Sequence, residues 1–185
     1  QVDDKGLSVL SQSLALETLI LEFTRVRGPG LVHLKSLPKL VGLTLNPNRN
    51  TADKTKIDLS PLTEGFSALR ALKVGGNQLT DTHLASVSNL QNLQAMTFRT
   101  LGFTKFSDAG LAPLGKLANL QELRINGSTQ VTDAGVVHFA QLKRQEKLDI
   151  GRTGISSACA TTLGKLPALK ELEVVGSRFG PDGIA

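Results

Sequence analysis

The residues that could support catalysis are few in this chain and lie far apart in its sequence. Among its 185 residues are three histidines, His33, His83 and His138, and a single cysteine, Cys159. A Ser-His-Asp or Cys-His site requires hydrogen bonds between its members, and nothing in the spacing brings such residues together. A zinc site needs about four neighbouring His, Cys or carboxylate ligands. We therefore expect no catalytic residue, no metal site and no cofactor.

Cys159 has a structural explanation instead. It stands between Ala158 and Ala160, at a position where other copies of the repeat described below have Gly. That setting favours a small buried thiol over a redox or ligand role. A single cysteine also excludes an internal disulfide.

The composition is that of a folded domain with a mild basic bias. Of the residues, 40% are hydrophobic and 20% are charged, which excludes a wholly disordered chain, and the formal net charge is +5. No run approaches the roughly 20 apolar residues of a membrane-spanning helix, so no membrane span is expected. The chain has no Trp and no Tyr, and its charges are dispersed. Nucleic acid is not an expected partner, because base-stacking platforms are scarce and the electrostatic footprint is thin.

A pattern of leucines recurs through nearly the whole chain. The pattern L-x-x-L-x-L, with other apolar residues allowed, fits six copies, and a weaker seventh has Gln145 in place of the first leucine. The second apolar positions of successive copies are 24, 29, 24, 27, 25 and 24 residues apart. Such a period is the signature of a solenoid, in which each repeat is one structural unit. These positions are Leu19, Leu43, Leu72, Met96, Leu123, Leu148 and Leu172.

The second half of each copy carries a helix-start signal. Clear examples begin at Thr80, Ser107 and Thr132, each followed by Asp and then by apolar residues at helical spacing. The hydroxyl accepts hydrogen bonds from free amides of the first turn, and the Asp faces the positive end of the helix dipole. The L-x-L of the first half predicts a short strand with both leucines buried. A chain that returns through a helix to begin the next strand makes the strands parallel.

These repeats resemble the leucine-rich repeat family over nearly the whole chain. The T-D-A-G start at residues 132–135 is similar to that of the ribonuclease-inhibitor-like or bacterial subclass. The resemblance implies an α/β fold, a right-handed leucine-rich repeat solenoid curved like a horseshoe, with parallel strands on the concave face and short helices on the convex face. It also implies protein binding and no reaction. The polar residue that follows the strand in the family is here Thr24, Asn48, Asn77, Ser128, Thr153 and Ser177, and Leu101 departs from the pattern.

The residues between and beside the buried leucines are expected on the concave face, because successive side chains of a strand point to opposite sides. Arginine side chains there offer planar, multi-donor contacts of the kind found at interface hot spots. We hypothesise a docking surface with a basic centre, and the alternative is a sheet face that is merely solvated. The candidate binding residues are Lys73, Thr97, Arg99, Arg124, Asn126, Asp149 and Arg152.

Two copies are longer than the others, and both extra segments follow a strand, at residues 46–56 and 100–106. Insertions grouped on one edge of a solenoid often mark a binding rim. Phe103 is either an exposed anchor on this loop edge or a side chain that packs into the core. The candidate residues of the loop edge are Arg49, Lys54, Lys56, Phe103 and Lys105.

The leading hypothesis is a single domain of about seven repeats over residues 1–185 that binds a protein partner, without enzymatic activity, through the concave face and loop edge. One alternative is an anionic polymer, an acidic glycan or nucleic acid, bound by the basic concave residues. Another is a structural spacer in a larger exported or scaffolding protein. Neither end shows a polar cap, so we expect a piece of a longer chain with flanking repeats or domains. The compartment is open, with a secreted or cell-envelope location favoured over the cytoplasm.

Overall fold

The structure is a computed structural model that describes residues 2–47, 57–76, 79–99 and 104–180. Strands and short helical segments alternate along these residues. The strands are β1 (Thr18–Thr24), β2 (Gly42–Pro47), β3 (Ala71–Gly75), β4 (Ala95–Arg99), β5 (Glu122–Arg124), β6 (Lys147–Asp149) and β7 (Glu171–Glu173). The α-helices are α1 (Asp81–Val87), α2 (Asp108–Leu111), α3 (Asp133–Val136) and α4 (Ala160–Leu163). Further helical segments are 3-10 helices, at Lys5–Gln12, Pro29–Leu34, Ser60–Thr63, Ala112–Lys116, Val137–Gln141 and Ser157–Cys159.

The seven strands form one sheet, in which each strand pairs in parallel with its neighbours in sequence. Leu19 pairs with Leu43, Leu43 with Leu72, and the same register continues to Leu172. The pairing confirms the alignment of the seven copies, including the copy that is 29 residues long. The predicted solenoid of parallel strands and short helices is therefore correct. We call each strand with the helical segment that follows it one coil, numbered by its strand.

The core is a ladder of apolar side chains shared between coils. Leu72, Met96 and Leu123 are at most 2% exposed, and the helical segments cover them with further leucines. The rings of Phe98 and Phe106 meet edge to face, with their centroids 5.2 Å apart. Burying a side chain of this size stabilises a fold by about 1.5–3 kcal/mol. One coil could not bury its own leucines, so the stack is the unit that folds.

Ser107 and Thr132 stand at the N-caps of α2 and α3, as predicted. The Thr132 hydroxyl accepts the predicted bond from the N–H of Ala134, at 3.3 Å, whereas the Ser107 hydroxyl makes no capping bond and donates to Asp81 instead. The Asp that follows each of them does more than face the helix dipole. The carboxylate of Asp108 accepts hydrogen bonds from the backbone N–H and the hydroxyl of Thr132 in the next coil, both at 2.7 Å. Asp133 accepts from Ser156 in the same way, at 2.8 and 2.6 Å. These carboxylates therefore join successive coils.

The glycine of the T-D-A-G motif makes room for this bridge. A Cβ atom on Gly110 would lie 2.0 Å from Oδ1 of Asp81, the carboxylate that bridges to Ser107. A Cβ atom on Gly135 would lie 2.4 Å from Oδ1 of Asp108. The Asp and the Gly of the motif thus act together across two coils: the Asp of one coil supplies the carboxylate, and the Gly of the next coil leaves space for it.

Polar side chains after the strands close the turns, as the resemblance implies. The hydroxyl groups of Thr153 and Ser177 each donate to the carbonyl three residues earlier, at 2.6 Å. Ser128 makes a longer bond of the same kind and contacts the buried hydroxyl of Thr104. Asn48, Asn77 and Leu101 lie outside the described residues.

Gln145 replaces a core leucine without breaking the stack. Its side chain is fully buried, and Nε2 donates to the carbonyl groups of Gln121 and Lys147, at 3.1 and 2.7 Å. Oε1 has no hydrogen-bond partner. The side-chain amide of Gln145 therefore links the start of coil 6 to the preceding coil, and its oxygen is a buried acceptor without a hydrogen bond.

Candidate functional site

The strand register arranges the side chains of the concave face in three columns that cross the sheet. We define the concave face as the sheet surface that points away from the helical segments. The central column is Ile20, Thr44, Lys73, Thr97, Arg124, Asp149 and Glu173. The column one position before the buried leucine is Thr18, Gly42, Ala71, Ala95, Glu122, Lys147 and Glu171. The third, which follows the second buried residue, is Glu22, Asn46, Gly75, Arg99, Asn126, Gly151 and Val175.

The half of this face formed by β1 to β4 carries few charges: Lys73 in the central column, and Glu22 and Arg99 in the third column. Its first column holds only small side chains, from Thr18 to Ala95, and the central column there has one charge, on Lys73. Together they leave a shallow hollow of about 330 Å³ across the four strands. Ile20, at its margin, is 64% exposed. This half offers apolar area to a partner with few charged groups to desolvate.

The half formed by β5 to β7 is densely charged with both signs, and most neighbours are opposite in sign; the exception is Glu173, which lies beside Asp149 and Glu171. Arg124 Nε lies 2.8 Å from a carboxylate oxygen of Glu122, and Lys147 Nζ lies 2.7 Å from Glu171. These hydrogen bonds raise the pKa values of Arg124 and Lys147 above their ordinary values, Arg124 through Glu122 and Lys147 through Glu171. A hollow of about 440 Å³ opens beside them. A partner that binds here must offer charges that replace the ion pairs it breaks.

The centre of the concave face is mixed in charge rather than basic. Lys73 Nζ lies 3.6 Å from a carboxylate oxygen of Glu22, two strands away. Asp149 is 6% exposed, and its oxygens accept from Asn126 Nδ2 at 2.8 Å and from the backbone N–H of Gly151 at 3.1 Å. Asp149 therefore holds Asn126 in place. Thr97 lies in the central column between the two halves, half-buried.

The remaining candidates lie at the edge where the strands end. Arg99 and Arg152 are exposed there, and Arg152 adopts a positive φ of 52°. Lys105 is exposed and forms a parallel bridge with Thr80. The other loop-edge candidates, Arg49, Lys54, Lys56 and Phe103, lie outside the described residues. The two possibilities for Phe103 thus remain predictions.

Sequence reasoning missed the first column. Glu122, Lys147 and Glu171 lie on the concave face beside Arg124. Glu122 forms an ion pair with Arg124, and Lys147 forms one with Glu171. The signal was available, because a residue two positions before the strand centre points to the same side of the sheet. If this column had been included, the sequence would have predicted a concave face with charges of both signs instead of a basic centre.

The histidines and the cysteine do not form a site. His33 and His138 lie in helical segments of coils 1 and 5. His83 is buried in α1, where its Nε2 lies 2.9 Å from the carbonyl oxygen of Ile57. Burial raises the pKa of the Cys159 thiol to about 12, and the nearby Asp133 adds to the effect. Within residues 2–47, 57–76, 79–99 and 104–180, no group of three or more His, Cys, Asp or Glu residues could hold a metal ion.

Comparison with known proteins identifies the fold of this chain but not its family or its partner. No family model matches the chain, and no curated protein matches it. Its structure is similar to the crystal structure of an internalin (inlF) from Listeria monocytogenes, with a TM-score of 0.60 and 21% sequence identity. The match covers 94% of this chain and 52% of the internalin chain, so this chain spans about half its length. The fold is a leucine-rich repeat solenoid, and the subclass suggested by the T-D-A-G motif stays a prediction. In the described part of the chain, none of the helices has the length and apolar character of a membrane span.

Proposed function

We propose that this chain is a non-enzymatic module that binds a protein partner on its concave face. The observation that carries the proposal is the division of that face into a half with few charges and a half with many charges of both signs. A neutral floor of small side chains suits an apolar anchor of a partner, which is where binding energy concentrates at protein interfaces. A dense pattern of both signs of charge fixes orientation and rejects partners of the wrong pattern.

The ion pairs weigh against an anionic polymer at the centre of this face. Lys73 and Arg124 already have carboxylate partners at 3.6 and 2.8 Å. A polyanion would meet Glu22 and Glu122 wherever it met those cations, and like charges repel. A folded protein partner with both signs of charge fits the pattern better.

Site-specific photo-cross-linking tests this proposal and captures the partner whatever its identity. A photoreactive residue replaces Thr97 on the concave face or, as the matched control, Val137 on the helical side, which is 56% exposed. In extract of the organism that makes the protein, we expect a discrete protein adduct from position 97 alone. The same adducts from both positions would contradict the proposal.

A charge swap then tests the captured partner directly. Glu122→Arg combined with Arg124→Glu keeps the ion pair and the net charge but reverses the local pattern. We expect unchanged thermal stability and at least tenfold weaker binding of the purified partner. Unchanged affinity would show that the charged half of the concave face is not in contact.

A further inference from the structure

The net positive charge of the chain is concentrated on one edge of the solenoid. We define the strand-entry edge as the segments that lead from the end of each helical segment to the next strand. Each begins at the last residue of a helical segment, and they are residues 12–17, 34–41, 63–70, 87–94, 116–121, 141–146 and 163–170. These segments hold three carboxylates, Glu17, Glu64 and Glu146, and eight cations. The excess of five positive charges equals the formal net charge of the whole chain, +5. The cations are Lys35, Lys39, Arg70, Lys116, Lys143, Arg144, Lys165 and Lys170.

These cations are available to a ligand. All except the half-buried Lys35 belong to exposed residues. Of the eight, only Lys170 forms an ion pair within the described residues, with Glu146 at 2.8 Å. Arg144 donates one N–H to Asn119 Oδ1 at 2.8 Å, which leaves its other donors free and fixes its direction. On the concave face, in contrast, Lys73, Arg124 and Lys147 all have carboxylate partners.

A depression gives part of this edge a shape as well as a charge. Lys39 and Arg70 line a shallow hollow of about 550 Å³ together with Pro38, Ser67 and Asn92, and one carboxylate, that of Glu17, lies at its margin. The only aromatic residue in the strand-entry segments is Phe66, which is buried. The edge therefore offers charge and hydrogen bonds but no stacking surface.

Helix-dipole compensation explains some of these cations but not the row. Lys116 is the last residue of a 3-10 helix, Lys35 directly follows another, and Lys165 lies two residues beyond α4. A cation at such a position stabilises the helix end. Lys39, Arg70 and Lys170 lie further along the connections, beside the strands, where no helix end requires them.

We propose that the strand-entry edge binds a linear acidic polysaccharide that runs along the stack of coils. Successive coils repeat at about 4.8 Å, close to the length of one sugar unit. Cations lie in the segments that lead to β2, β3, β5, β6 and β7, and the segment that leads to β4 has none, so a chain with regularly spaced carboxylate or sulfate groups meets cations at five of the seven coils. The edge is narrow, which suits a linear polymer better than a membrane surface. Without exposed aromatic side chains, it lacks the stacking platforms with which proteins hold single-stranded nucleic acid. Arg70 and Lys170 also line the hollows of the concave face, so the edge adjoins that face, but the inference rests on the edge cations and does not depend on the proposed function.

Binding to dextran sulfate, with neutral dextran of the same length as the polymer control, tests the proposal. The edge variant carries Lys39→Glu, Arg70→Glu and Lys143→Glu. The matched control carries Arg25→Glu, Lys105→Glu and Arg178→Glu, three exposed cations on the opposite edge, where the strands end. Both variants change the formal net charge from +5 to −1. Any difference between them therefore reports position rather than total charge.

We expect the unaltered protein to bind dextran sulfate and not dextran, with an affinity that falls as salt rises. The edge variant should lose at least tenfold in affinity, and its slope of log K against log salt should be shallower by about 2–3, since each lost contact removes slightly less than one unit. The control variant should stay within about threefold. Equal losses in both variants, or no binding at all, would overturn the proposal. Tighter binding of duplex DNA or of poly-glutamate than of dextran sulfate would overturn the assignment to a polysaccharide.

Discussion

The backbone N–H of Thr80 donates a hydrogen bond of 3.0 Å to Nδ1 of His83, three residues later in the same coil. In coils 4, 5 and 6 the corresponding N–H donates to an Asp of the preceding coil instead. Coil 2 has Leu59 at that Asp position, so it offers Thr80 no carboxylate. His83 stands where T-D-A-G has its glycine, and its ring supplies the missing acceptor from within the coil. Coil 2 lacks the bridging Asp and coil 3 has His83 in place of the glycine, and these two departures from the repeat compensate each other.

Exchanging these two residues tests the compensation. His83→Gly should destabilise the fold by about 2 kcal/mol or more, because it leaves the N–H of Thr80 and the carbonyl of Ile57 without their partner. Leu59→Asp alone should also destabilise it, because it places a carboxylate among buried side chains. In the double variant the introduced carboxylate should bridge to Thr80, so the combined loss should be smaller than the sum by about 1 kcal/mol or more. Chemical denaturation of the four proteins measures this, and strict additivity would contradict the account.

The carboxylate bridge itself is tested at Asp133. Asp133→Ala should lower the free energy of unfolding by about 1–3 kcal/mol, because the N–H and hydroxyl of Ser156 lose their acceptor at a half-buried site. The control is Glu64→Ala, which removes an exposed carboxylate. Urea denaturation should show little change for the control. Equal effects of the two substitutions would mean that Asp133 acts through the net charge of the protein and not through its hydrogen bonds to Ser156.

The core register is tested at Leu123, which is fully buried in β5. Leu123→Ala should cost about 2–5 kcal/mol, since it removes packed methyl groups and leaves a cavity between coils. Val137→Ala, at an exposed position, should change stability by about 0.5 kcal/mol or less. Thermal melts followed by circular dichroism provide the comparison. A melt of Leu123→Ala that matches the unaltered protein would contradict the observed strand register.

The buried thiol predicts a dependence of stability on alkaline pH. Because the pKa of Cys159 is raised to about 12 in the folded protein, the folded state keeps a proton that the unfolded chain releases above about pH 8.5. The unfolded state then binds fewer protons, so the free energy of unfolding falls as the pH rises from about 8.5 toward 12. Denaturation at pH 7.5 and pH 10 should show a smaller fall for Cys159→Ala. Equal falls in both proteins would show that the thiol keeps an ordinary pKa.

The sequence by itself determined the architecture of this protein. Leucines at a period of 24 to 29 residues leave only one way to bury them, by stacking coils, and the observed register from Leu19 to Leu172 follows that period. The positions of the helix starts at Ser107 and Thr132 were equally predictable, because Ser or Thr followed by Asp is a local signal, although only the Thr132 hydroxyl makes the capping bond.

Only the tertiary structure decided which side chains meet across coils. The bridge from Asp108 to Thr132, the pairing of Lys73 with Glu22 and the contact of His83 with the carbonyl of Ile57 all join residues of different coils in ways that no local pattern specifies. The charge of the concave face was misjudged for a different reason: the alternation of side chains along a strand already placed Glu122, Lys147 and Glu171 on that face, and the prediction left their column out. A repeat fixes the spacing of its coils, but the chemistry of its surface depends on which side chains the stack brings into contact.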